Sequence, residues 1–411
     1  MITRNENVLA MVLAGGEGTR LSPLTVPRSK PAVPFGGRYR IVDFVLSNLV
    51  NSGIYSIYVL VQYKSQSLIE HIRNGWVLSP IFPRHFVTVV PPQMREGPEW
   101  FQGTADAIYQ NINLIRDARA TLVAVFGADH VYRMDVRQMI EAHRANKADV
   151  SVAAVPVKRE QAQGFGIMGV AQDGRITSWV EKPKDPPEMP DRPGYALAST
   201  GNYLFDAEVL IEALIAAKQR GEKDFGHDVI PTLMKTHRVY AYDFSKNRIP
   251  GVRPYEEPAY WRDVGTLDAY YDANMDTLGP EPRLQLFNRQ WQIRSSNYQG
   301  PPASLFDTRV ENSHIGAGGR YGRCTIRNSI IRREVSIADD VVVEDSIIMD
   351  YCVISRGARI RRAIIDRYNI IGEGERIGYD RAADAARYHV TESGIVVVPM
   401  AEIMSRADAY E

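Results

Sequence analysis

The chain has 411 residues, too many for one ordinary hydrophobic core, so two domains are expected. Charged residues make up 24% and apolar ones 45%, and 49 Lys plus Arg balance 49 Asp plus Glu, which leaves no basic excess of the kind that marks nucleic-acid or membrane-surface binders. Two cysteines, Cys324 and Cys352, exclude a disulfide framework and a cysteine zinc site and fit a reducing cytoplasm.

In chain order, the first apolar run is 8–14. It is strand length, too short for a membrane span, and no small-residue cleavage site follows it, so a soluble, untargeted protein is expected. A glycine-rich loop comes next, within LAGGEGTRLSPLTVPRSKPAVPFGG. Gly15, Gly16 and Gly18 let backbone amides approach an anion closely, and Arg20 and Lys30 add the fixed positive charge that a triphosphate needs. The loop is not a Walker A motif, and Leu21 stands where a dinucleotide fingerprint needs its third glycine.

Apolar runs at 57–62, 122–127 and 150–157 read as further buried strands, and 105–116 and 136–146 as helices. This alternation predicts an α/β, Rossmann-like domain with a mostly parallel sheet covered on both faces. Ligands of such sheets bind beyond the carboxyl ends of the strands, which is where Asp129 falls after the run 122–127. Asp263, in WRDVG, is the second carboxylate that could share one Mg²⁺ with it, although aspartates at strand ends are often only caps. His130 beside Asp129 reads as structural or positional. A strand at 176–180 leads into Glu181 and Lys182, a pair that on its own reads most often as solvated surface.

Pro/Gly-rich stretches around 277–302 mark a boundary, giving an expected catalytic domain at 1–280, a linker at 281–305 and a second domain at 306–411. In the second domain, the last apolar residues of successive triplets are Ile326, Ile331, Ile337, Val343, Ile348, Ile354, Ile360, Ile365, Ile371 and Ile377, with steps of 5, 6, 6, 5, 6, 6, 5, 6, 6. Every third member is 17 residues on, the mark of a three-sided parallel β-helix. Both cysteines sit in these triplets and read as small core residues.

GG-x-G-T-R-L followed by the lysine of S-K-P resembles the signature of sugar-nucleotide pyrophosphorylases. PFGGRYRIVDFVLSNLVNSG (34–53), WFQGTADAIYQN (100–111), FGADHVYRMD (126–135), VEKP (180–183) and YWRDVGTLDAYY (260–271) resemble one branch, the ADP-glucose pyrophosphorylases, in the right order over nearly the whole chain. The resemblance implies transfer of an adenylyl group from ATP to α-D-glucose 1-phosphate, giving ADP-glucose and pyrophosphate for glycogen or another α-glucan. It implies that the β-helix is left-handed and serves regulation and assembly. Arg20, Lys30 and Asp129 become the catalytic set, and Gly15, Gly16, Gly18, Thr19, Arg20, Lys30 and Gln62 the nucleotide site. Phe101, Gly166, Glu181, Lys182, Ser199, Tyr203 and Asp224 become the sugar-phosphate site, with Phe225 a further candidate, and Asp129 and Asp263 the Mg²⁺ ligands. Phe101 stands where the family commonly has a tyrosine, so it reads as a pocket wall without a polar role.

Family members are typically cytoplasmic homotetramers controlled by phosphorylated metabolites, with no nucleic-acid or membrane partner. That carries Arg28, Arg40 and Arg367 onto an effector site. Pro27 and Pro34 replace a lysine and a histidine of some relatives, so the preferred effector is expected to differ. The alternatives are a nucleotidyltransferase for another nucleotide or sugar 1-phosphate, and a non-catalytic regulatory subunit. Retention of Arg20, Lys30, Asp129, Lys182 and Asp263 argues against the second.

Overall fold

The computed structural model describes residues 7–401 except positions 80, 96, 98 and 190; the outer limits expected for the two domains, 1 and 411, lie outside the described residues. Nine strands form the main sheet: β1 (Val8–Ala14), β2 (Ser56–Val61), β3 (Phe86–Val90), β4 (Leu122–Gly127), β5 (Val150–Lys158), β6 (Gly166–Val170), β7 (Ile176–Glu181), β8 (Tyr195–Asp206) and β9 (Val239–Asp243). The order is β7-β6-β8-β4-β1-β2-β3, with β5 pairing both β8 and β9. Strands β4, β1, β2 and β3 run parallel, and β8 joins them antiparallel.

The pleat divides the side chains of the central strands between two cores. Val8, Ala10, Val12 and Ala14 of β1 pack on one face with Leu122, Ala124 and Phe126 of β4. Leu9 and Met11 pack on the other with Val123 and Val125. Burial on both faces explains why these strands read as unbroken apolar runs.

The helix expected at 105–116 is two helices, Thr104–Tyr109 and Ile112–Ala118. Asn111 donates to the Ala107 carbonyl and Gln110 to the Asp106 carboxylate, side-chain bonds that compete with the helical ladder at the break.

In the second domain the 17-residue period becomes strand register. Ile326, Val343, Ile360 and Ile377 stack on one side, Ile331, Ile348 and Ile365 on the second, and Ile337, Ile354 and Ile371 on the third. The first coil is one residue shorter, with Val310 beside Ile326 and Ile315 beside Ile331. These apolar residues fill the interior of a left-handed parallel β-helix together with Cys324 and Cys352. One corner repeats left-handed Asn328, Asp345 and Arg362, a conformation that Asn and Asp tolerate best. Next to it a serine column links the coils: the Ser329 amide donates to Ser313 Oγ, Ser346 to Ser329 Oγ and Ala363 to Ser346 Oγ.

A third core glues the β-helix to the catalytic domain. Phe35, Tyr39, Ile41, Phe44 and Tyr270 meet Ile347, Met349, Ile364 and Val397 there. The connecting segment is packed down as well: Trp291 and Ile293 are buried, and Trp291 Nε1 donates to Asn48 on the helix Val42–Asn51. Among the described residues, no helix is long and apolar enough to cross a membrane.

Candidate active site

The loop after β1 turns back over the end of the strand through Gly18, whose φ of +66° is left-handed. A Cβ there would sit 2.8 Å from Lys30 Cβ, so the glycine lets the loop close onto the lysine. Lys30 is buried, and its ammonium bridges two carboxylates, 3.1 Å from Asp129 Oδ2 and 3.0 Å from Asp263 Oδ1. Asp129 comes from just beyond β4. Asp263 comes from a short ribbon in which Trp261–Asp263 pairs antiparallel with His130–Tyr132, placing Asp263 opposite His130.

Burial works to lower the Lys30 pKa, but the charges of Asp129 and Asp263 outweigh it and the ammonium titrates above its usual value. Burial likewise works to raise the Asp129 carboxyl, and the charges of His130 and Lys30 hold it well below the usual carboxylate range. Asp129 therefore stays ionised beside the buried ammonium. Arg20 is mostly exposed and approaches Asp263 only to 3.9 Å, which leaves its guanidinium largely open to solvent.

The floor of the adjoining chamber comes from β8. Its pairing with β5 slips between Ser199 and Tyr203, and Gly201 in the bulge has a φ of +72°. The bulge turns Ser199, Thr200 and Tyr203 toward one cavity, a common use of such irregularities beside ligand sites. Asn202 points the other way, into the protein. Its Oδ1 accepts from the Gly127 amide at 3.1 Å and its Nδ2 donates to the Tyr132 hydroxyl at 3.2 Å. One buried amide thus ties the strand that delivers Asp129 to the ribbon that delivers Asp263.

Glu181 ends β7 and lies between two glycines; a Cβ on Gly166 would come within 2.7 Å of Glu181 Oε2, and one on Gly226 within 3.1 Å. Lys182 follows with a φ of +46°, a left-handed conformation costly for a lysine, held by the hydrogen bond its backbone N–H donates to the Phe165 carbonyl. Its ammonium is exposed and 3.7 Å from Glu181 Oε1. Tyr203 is deeply buried, and burial pushes its hydroxyl pKa up, so it stays a neutral donor.

A cavity of about 620 Å³ takes in all of this. It is lined by Gly15, Gly16, Gly18, Thr19, Arg20, Lys30 and Gln62, by Asp129 and Asp263, and by Phe101, Gly166, Glu181, Lys182, Ser199, Tyr203 and Asp224. Two side chains are partly spoken for. The Gln62 amide accepts from the Phe101 amide and donates to its carbonyl, pinning the Phe101 loop to the end of β2. Asp224 accepts from the Thr104 hydroxyl and the His227 amide. Phe225 does not line the cavity; it packs in the core against Tyr203 and Phe205, because the turn after Asp224 rotates it inward.

Sequence reasoning missed Phe165, Trp179 and Gly265 on the walls and Asn202 behind them. Trp179 was within reach, since it shares a strand face with Glu181 two residues on. Asn202 carried no signal, as a bulge is invisible in the pattern of apolar residues.

Arg28, Arg40 and Arg367 also come together, at the interface with the β-helix. Arg28 binds Asp366 at 3.0 Å, Arg367 binds Asp350 at 2.8 Å, and Arg40 donates to the Ser67 carbonyl and hydroxyl. Arg332 and Arg333 share Asp350 with Arg367. Burial, then the charge of Arg367, with Arg332 adding to it against Asp350, pushes the Arg40 guanidinium below its usual pKa. An arginine keeps its proton at physiological pH, so the cluster holds uncompensated positive charge.

Comparison with known proteins agrees with this architecture. Residues 9–279 match the family model described as nucleotidyl transferase, and residues 302–398 match the GlmU-like C-terminal hexapeptide model. A glucose-1-phosphate adenylyltransferase of Thermodesulfovibrio yellowstonii is 55% identical over 395 residues, 96% of each chain. Proteins of the same name from Anaeromyxobacter sp. and Deinococcus radiodurans are 48% and 45% identical, covering 96% and 95% of this chain and 98% of each relative.

Proposed function

The chain belongs to the nucleotidyl transferase family, grouped there with the glucose-1-phosphate adenylyltransferases, and from that premise we propose that it transfers an adenylyl group from ATP to α-D-glucose 1-phosphate. The products are ADP-glucose and pyrophosphate. The observation that carries this reading is one cavity whose lining unites a glycine loop with two cations, a pair of carboxylates and a Glu-Lys pair.

The reaction asks for positioning and charge neutralisation more than covalent work. The loop Gly15–Gly18 and Thr19 cradle the triphosphate while Arg20 and Lys30 offset its charge. Glu181 accepts sugar hydroxyls, Lys182 meets the 1-phosphate, and Ser199 and Tyr203 close the sugar side. A phosphate oxygen of glucose 1-phosphate then attacks the α-phosphorus of ATP in line, and the α–β bond breaks to release pyrophosphate. Gln62 and Asp224 hold the Phe101 wall and the turn at 224–227, and so shape the chamber.

Asp129 and Asp263 fit a divalent cation: they are hard oxygen donors close enough for one ammonium to bridge both. We assign Mg²⁺, which when bound neutralises charge on the α-phosphate and the leaving pyrophosphate. With such an ion held by the carboxylates, Lys30 would turn from them toward the phosphates.

The positive cluster of Arg28, Arg40 and Arg367 is the proposed site of a phosphorylated effector, which would relieve the repulsion at Arg40. Because Arg28 and Arg367 already hold Asp366 and Asp350, the effector must compete for them, and its binding would loosen the interface between the domains. A cytoplasmic homotetramer supplying glycogen or another α-glucan completes the reading.

The test is pyrophosphate release with glucose 1-phosphate and Mg²⁺, with ATP, UTP, dTTP and GTP supplied in parallel. ATP preference abolished by Asp129→Ala is expected. Preference for another nucleotide would move the protein to a different branch, and no release with any of them would leave a binding subunit.

A further inference from the structure

We infer that His130 is a third protein ligand of the divalent cation, through Nδ1, and that it biases the site toward first-row transition ions such as Mn²⁺ relative to Mg²⁺. The inference rests on the reading of Asp129 and Asp263 as the metal carboxylates.

The first observation is an orphaned atom. His130 Nδ1 is buried and has no hydrogen-bond partner among the described residues. Buried ring nitrogens ordinarily find one. Its nearest acidic neighbour, Asp129 Oδ1, lies 3.6 Å away, too far for a hydrogen bond. The distance suits two ligands of one ion: atoms each about 2.1 Å from a shared metal sit roughly 3–4 Å apart.

The second observation is convergence. One ligand atom from each of Asp129, His130 and Asp263 can be chosen so that all lie within 4.8 Å of one another. The ribbon register sets this up, since Asp263 pairs directly with His130 while Asp129 precedes it. The ring is also held in place: Trp261 packs against it at 4.9 Å, and Phe165 packs against Trp261 in turn. Fixing the imidazole plane in this way is what a ligand requires and what a purely space-filling residue does not.

A site with two carboxylates and one imidazole is no longer an all-oxygen site. Mg²⁺ gains little from a nitrogen donor, whereas affinity rises along the first-row series as nitrogen is added. The same enzyme is therefore expected to hold Mn²⁺ or Co²⁺ more tightly than Mg²⁺ at this position, and to owe that difference to one side chain.

The test uses the full-length protein loaded with Mn²⁺ and ATP without glucose 1-phosphate, so that no turnover occurs. Electron spin-echo modulation reports nitrogen bound directly to the ion, and protein grown with ¹⁵N-histidine distinguishes the imidazole from adenine. The expected result is a histidine modulation in the wild type that is lost in His130→Phe, with Mn²⁺ affinity falling about tenfold or more and Mg²⁺ affinity falling less. Mn²⁺ bound without histidine modulation would overturn the inference and leave the carboxylate reading intact. Mn²⁺ binding unchanged by Asp129→Asn and Asp263→Asn would overturn both. If His130→Phe does not fold, the isotope shift in the wild type decides alone.

Discussion

Two of the charge clusters in the chain are built on opposite terms. In the active-site cleft, one lysine serves two aspartates whose side chains remain 42% and 22% exposed, and solvent and substrate can reach the group. At the interface with the β-helix, Arg28, Arg332 and Arg367 meet Asp350 and Asp366, carboxylates with no exposure at all. The open cluster can exchange partners when a triphosphate arrives. The sealed one can do so only by separating elements that the aromatic core around Phe35 and Phe44 holds together. Burial thus decides how readily a salt bridge gives up its partner.

Four variants or conditions press on that contrast. The largest effect is expected for Arg332→Ala, which leaves Asp350 buried beside fewer cations and removes the bonds to the Phe35 and Tyr39 carbonyls. A loss of about 3–5 kcal/mol in denaturant unfolding is expected; a loss under 1 kcal/mol would mean that the interface is wetter than its geometry implies. Lys30→Ala should do the reverse, lowering turnover by about 10²–10³-fold while shifting the unfolding midpoint less than Arg332→Ala does. Steady-state kinetics and a thermal melt on the same sample compare the two.

Asn202→Leu sharpens the comparison from inside the cleft. It cuts the tie between the Gly127 amide and the Tyr132 hydroxyl without touching the cavity. Turnover is expected to fall about tenfold, ~1.4 kcal/mol for the loss of its two hydrogen bonds, with the KM for ATP nearly constant. A change confined to KM would show that the tie shapes binding and leaves the alignment of the aspartates alone.

The smallest effect is on acid stability. Burial works to raise the Asp350 carboxyl, but Arg332, Arg367 and Arg333 hold it well below the usual range. A carboxyl depressed by folding contributes stability that is complete above its unfolded value of about 3.9 and is lost as pH falls through the folded value. Unfolding monitored below pH 4 should therefore steepen in the wild type and flatten in Asp350→Asn.

Much of this was legible in the sequence, for reasons that can be named. The β-helix register was readable because stacking forces the same residue class to recur at the same point of every coil, so 326, 343, 360 and 377 had to share one column. The strands 8–14 and 122–127 were readable because burial on both faces excludes polar residues from them. That Gly15, Gly16, Gly18, Arg20 and Lys30 would line one cavity was readable because they lie close together in the chain just after a buried strand.

What the tertiary structure decided has a common cause as well: it depends on contacts between residues far apart in sequence. Asp129 and Asp263 are 134 positions apart, and only the ribbon pairing brings them onto one lysine. Asn202 acts through a bulge, and Phe225 turned out to belong to the core because a turn rotated it away from the cavity. Arg28 and Asp366 gain their meaning only when the β-helix docks. Local spacing encodes which atoms repeat and which can cradle an anion; it does not encode which distant side chains will share a proton, an ion or a wall, because the packing of the whole chain sets those distances.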